Sequence, residues 1–148
     1  MLTFMMGEFE AEFPTDRLYA SNHMWGLDQD DSIRFGFTAY AVRLLQDVYF
    51  LDWLVDSPAS LAEQQEIGSI ESKKAESSLY APITGQLLEF NDRLLEDPSA
   101  INTDKYAEGW LFRMPGSPVE LMSPEQYLLL LEEVWEKTQR TIKGQLNE

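Results

Sequence analysis

A lysine pair, Lys73 and Lys74, is the most prominent group in the sequence that could carry chemistry. It sits in a run of polar and small residues from Glu71 to Ser78. Ile70 closes a short apolar run before it, and Leu79, Ala81 and Ile83 alternate after it. That pattern predicts a hairpin with the lysines at its tip. A lysine held there offers a primary amine to solvent at a fixed place, which suits a residue that is covalently modified. The plainer reading is that both are solvated turn lysines serving solubility. Little else in the chain offers chemistry. The sequence has no cysteine, so disulfides and thiolate metal sites are excluded. His23 is the only histidine, which excludes a His-rich metal site and most Ser–His or Cys–His catalysis. No catalytic residue and no metal ligand is assigned.

The elements that must position the tip can be read on either side of it. Ile33 to Thr38 alternates as a strand, and Thr38 can cap a short helix bearing Tyr40, Ala41, Leu44 and Leu45. Val48 to Val55 is rich in β-formers and reads as a buried strand. Strands are also expected at 85–90 and 109–113, with a loop from Leu94 to Asn102 between them. Near the end, Ser123, Pro124 and Gln126 form a capping box that starts a helix. Its apolar face carries Tyr127, Leu128, Leu131, Val134 and Trp135. The reading is a mainly β domain at 14–140, a loose N-terminal arm at 1–13 and a polar tail at 141–148.

The chain has 148 residues, 44% apolar and 12% aromatic, enough for one core. The net charge of -15, from 26 acids against 11 bases, disfavours nucleic acid and anionic membranes as partners. It suits docking onto basic patches of larger enzymes. No apolar run approaches the roughly 18 residues of a membrane helix. The start lacks the basic segment of a signal peptide. A cytoplasmic or organelle-matrix monomer is expected.

The run Ile70-Glu71-Ser72-Lys73-Lys74-Ala75-Glu76-Ser77-Ser78-Leu79-Tyr80-Ala81-Pro82-Ile83-Thr84-Gly85 resembles the lipoyl-attachment hairpin of the glycine cleavage system H protein family. The resemblance extends through His23-x-Trp25, Gly36 to Ala41, Asp47-Val48, Asn91, Asn102 and Tyr106 to Trp110, about four fifths of the chain. It implies the lipoyl-domain hammerhead: a two-sheet β-sandwich or flattened barrel with short flanking helices and a C-terminal helix.

The resemblance also implies a covalent cofactor carrier, not an enzyme. Lipoate would be attached at Lys74, with Glu71 and Ser72 recognised by a lipoate ligase or a lipoyl or octanoyl transferase. The implied partners are a pyridoxal-phosphate glycine decarboxylase, an aminomethyltransferase and dihydrolipoamide dehydrogenase, between which an aminomethyl group is shuttled. Met24 and Ser78 fall at positions implied to flank the parked arm. Both depart from the family, which usually has acids there. An aminomethyl group is cationic when protonated and favours a nearby carboxylate. The departures therefore open an alternative: an H-like lipoate-binding protein carrying sulfur intermediates for a heterodisulfide-reductase-like complex. A third reading is an unlipoylated binding module.

Overall fold

The computed structural model describes residues 1–116 and 121–146, with side chains through Thr138. Its first half runs β1 (Leu2–Met6), β2 (Phe9–Phe13), β3 (Leu18–Tyr19), β4 (Met24–Asp28), β5 (Ile33–Phe37), α1 (Ala39–Leu45), β6 (Val48–Trp53) and β7 (Ala59–Leu61). The second half runs β8 (Glu66–Ser72), β9 (Glu76–Tyr80), β10 (Gly85–Leu87), β11 (Glu89–Phe90), α2 (Arg93–Glu96), α3 (Ala100–Thr103), β12 (Phe112–Met114) and α4 (Pro124–Leu146).

The main sheet has the order β11-β12-β5-β4-β3, and a three-stranded sheet has the order β6-β8-β9. All their pairings are antiparallel. Two further pairs, β1 with β2 and β10 with β7, complete the mainly β architecture. Alternation explains the core. Ile67, Ile70 and Leu79 of the hairpin turn inward and share one core with Phe35, Phe37 and Phe112 of the main sheet. A second core gathers Phe13, Tyr19, Trp25 and Tyr40 under Tyr127 and Leu131 of α4. Gly36 lets the Trp25 ring lie against the backbone, since a Cβ there would come within 2.5 Å of that ring.

Local capping signals act as the sequence predicts. Ala41 N–H donates to Thr38 Oγ1 at the start of α1. At α4, Gln126 N–H donates to Ser123 Oγ and Ser123 N–H donates to Gln126 Oε1.

Four expectations are corrected. The segment 1–13 is not a loose arm: β1 and β2 form a hairpin turning at Gly7, where φ is 67°. It is held because Met6, Ala11 and Phe13 are buried in the second core. The stretch from Leu94 to Asn102 is not plain loop, since most of α2 and the start of α3 lie in it. Strand β6 is not buried on both faces: it is an edge strand with Tyr49 and Phe50 exposed. Finally, α4 runs on to Leu146, past the expected end of order, while residues 147–148 lie outside the described residues.

Candidate functional site

The β8–β9 turn is pinned by Ser72. Ser72 N–H donates to the Ala75 carbonyl at 2.8 Å, Ser72 Oγ donates to the same oxygen at 3.1 Å, and Ala75 N–H lies 3.2 Å from Ser72 Oγ. Ser72 is buried while Lys73 and Lys74 are both exposed. The two lysines are held differently. Lys73 N–H donates to the Asp47 carbonyl at 2.8 Å, which ties the turn to the connection between α1 and β6. Among the described residues neither lysine ammonium has an ion pair.

That connection is itself clamped from behind. Asn102 donates through Nδ2 to the Gln46 carbonyl at 2.6 Å and accepts from Val48 N–H at 2.9 Å. Gln46 stands there with φ at 59° and ψ at -144°, a positive-φ conformation outside the αL region that a non-glycine residue adopts only when its surroundings hold it. So α3 fixes the connector, the connector fixes the Lys73 backbone, and the lysine side chains are left to solvent. Asn102 and Asp47 figure in the family resemblance as landmarks; their clamping role has no local sequence signal, because it depends on pairs more than fifty residues apart for Asn102.

The other expected site residues are separated by the fold. Glu71 is half-buried and lies in the ladder between Phe50 of β6 and Glu76 of β9. Met24 is a correction: it is 1% exposed, sits opposite Phe37 and belongs to the main core, so in this conformation it does not line a cleft. An unpartnered carboxylate buried at that place would be costly, so an apolar residue fits it. Ser78 is half-exposed and its hydroxyl donates to Glu66 Oε1 at 2.8 Å. A carboxylate therefore stands within hydrogen-bond reach of the serine, supplied by a strand partner and not by the position itself. The missing signal is the irregularity between Glu66 and Gly68, which shifts the register of β8 against β9.

His23 belongs to the framework. Its Nδ1 lies 2.9 Å from Tyr127 Oη, which is 3.0 Å from Thr38 Oγ1, and its ring packs on Tyr40 at 4.7 Å. Burial pushes the His23 pKa down to about 4 and holds the Tyr127 hydroxyl well above its ordinary range. The three groups form one hydrogen-bonded chain, His23–Tyr127–Thr38, whose direction is set by which tautomer the neutral imidazole takes. Among the described residues no group of three or more His, Cys, Asp or Glu could hold a metal ion, and no helix is long and apolar enough to cross a membrane.

The family model for the glycine cleavage H-protein matches residues 17–140. The glycine cleavage system H protein of Rubrobacter xylanophilus is 40% identical over 124 residues, covering 83% of this chain and 98% of that protein. That of Neisseria gonorrhoeae is 39% identical over 119 residues, covering 77% and 89%. A crystal structure of a glycine cleavage system H protein from Mycobacterium marinum superposes with a TM-score of 0.68 at 34% identity, over 78% of this chain and 95% of that one. The hairpin of β1 and β2 precedes the matched residues. The chain belongs to the glycine cleavage H-protein family, whose members are non-catalytic lipoyl carriers.

Proposed function

We propose that this chain carries lipoate as an amide on Lys74 and moves the aminomethyl group of glycine cleavage between the pyridoxal-phosphate decarboxylase, the aminomethyltransferase and dihydrolipoamide dehydrogenase. The observation that carries the reading is the exposed Lys74 side chain on a turn whose base is fixed by Ser72 and by the Lys73 tether to Asp47. Amide formation turns the ammonium into a neutral amide, with loss of protons to solvent and departure of the group that activates the acyl donor. The bound dithiolane then supplies the redox and group-transfer chemistry. The protein's part is to hold the attachment point still and leave its side chain free.

The carboxylate at Ser78 bears on the cargo. The sulfur-carrying alternative rests on two neutral residues, Met24 and Ser78, flanking the arm. Met24 lies in the core and Ser78 is bonded to Glu66. A cationic aminomethyl group brought near Ser78 meets a negative partner, which favours glycine cleavage.

Two measurements test this. Protein made with a lipoate ligase should gain one lipoyl mass, mapped by peptide analysis to Lys74, and Lys74→Arg should gain none while melting as the parent does. Lipoylated protein should then support glycine-dependent exchange of labelled carbon dioxide with its decarboxylase, and Glu66→Gln should weaken that exchange. A mass shift on Lys73 would refute the attachment point. Exchange that is absent in lipoylated parent would refute the aminomethyl cargo and favour the sulfur reading.

A further inference from the structure

We propose that the outward face of the β6-β8-β9 sheet is the surface on which the lipoylating enzyme docks, presenting to it a basic face with apolar sockets. This rests on Lys74 being the attachment point. The ladder fixes what the face displays. Phe50, Glu71 and Glu76 form one cross-strand row, and Asp52, Ser69 and Ser78 form the next.

The edge strand departs from regular alternation at Tyr49, an extra residue inserted between Val48 and Phe50 where the register shifts. The consequence is two adjacent aromatic side chains turned to solvent, Tyr49 at 64% and Phe50 at 47% exposure. Tyr80, 44% exposed, stands on β9 across the same sheet. Among the described residues the three exposed large aromatics of this very acidic chain all stand on this one sheet, and such a grouping marks a contact surface. Tyrosine in particular is over-represented among the residues that dominate binding energy.

Charge then selects the occupant. Asp52, Glu71 and Glu76 are spread between the aromatics, and the ion pairs of the described residues involve none of them. A partner that covers the rings must therefore supply cations beside its apolar sockets. Continuity with Lys74 selects among basic partners. Before modification there is no long arm, so the enzyme that acylates Lys74 must bring its active site to the amine itself and grip the hairpin next to it. Enzymes that act afterwards meet the far end of a flexible arm and do not need this face.

The test is steady-state lipoylation of the full chain by a lipoate ligase with lipoate and ATP, read by intact mass at low and high salt. Replacing both Tyr49→Ser and Phe50→Ser should raise KM about tenfold or more, equivalent to about 1.4 kcal/mol, with kcat unchanged. Asp52→Asn with Glu76→Gln should raise KM less and flatten its salt dependence. Circular dichroism and melting check the fold of each variant, and Tyr80→Ser, on β9 at the opposite edge of the sheet, provides an independent arm that should also raise KM. Folded variants with parental KM and salt dependence would overturn the proposal. So would a concentration-dependent dimer of the parent, seen in sedimentation velocity and lost on substituting the aromatics, because the face would then be a self-interface. A parent chain that is never modified at Lys74 would instead sink the carrier reading.

Discussion

Acid should weaken this fold through His23. Packing against Tyr40 and Tyr127 buries the ring and pushes its pKa from 6.5 to about 4. An unfolded chain takes up that proton near 6.5 and the native chain only near 4. The unfolded state therefore binds more protons across this window. The stability contributed by neutral His23 is complete above about pH 6.5, falls as the pH drops and levels off below about pH 4. These two values give a loss of about 2 kcal/mol at about pH 5 and a limit of about 3 kcal/mol. Against a typical domain stability of about 5–15 kcal/mol that is readily measured. Urea unfolding followed by tryptophan fluorescence across this range is the assay. Protonation of carboxylates runs the other way, because relieving the charge of -15 favours the compact state. His23→Gln separates the two, since an amide oxygen can accept from Tyr127 without titrating. Its pH profile should lack the His23 loss, and parallel profiles for parent and variant would refute the burial argument.

Trp53→Ala should cost about 3–5 kcal/mol, because large aromatics removed from packed sites leave cavities. Trp53 stacks on Phe90 at 4.4 Å and meets Phe112 edge-on at 5.9 Å, so near-native thermal melting would contradict the role of β6 in closing the main core. Asn102→Ala removes both hydrogen bonds to the connector and should cost about 1–3 kcal/mol. Hydrogen exchange at the Lys73 amide should speed up in that variant, and lipoylation of Lys74 should slow; an unchanged Lys73 amide would break the proposed line from α3 to the tip.

What could be read from the sequence was governed by range. The hairpin tip, the Thr38 cap and the Ser123–Gln126 box depend on residues within a few positions of one another, and all three stand in the structure. The N-terminal hairpin has alternation in Leu2, Phe4 and Met6 and in Phe9, Ala11 and Phe13, but Met5 blurs it. What holds it is Tyr127 and Leu131, more than a hundred residues away, and no local pattern announces that contact. Strand β6 misled because its apolar residues suggested burial on both sides, whereas the irregularity at Tyr49 turns two of them outward. Met24 misled through analogy: the family position implied a cleft, while pairing with Phe37 points the side chain inward.

The two lysines show how the fold separates attachment from freedom. Lys73 and Lys74 are both exposed neighbours of one type, so side-chain chemistry alone gives an acylating enzyme no basis for choosing. The backbone supplies a difference. Lys73 N–H is committed to Asp47, and Ser72 closes the turn on Ala75, so the direction in which each side chain leaves the tip is set before any partner arrives. A fixed turn lowers the ordering cost of docking, because the enzyme need not select one tip conformation from many. The same fixed base serves the later steps, when a carrier must offer one arm to several active sites in succession. Asn102 contributes to both through the connector it clamps, although it touches neither lysine.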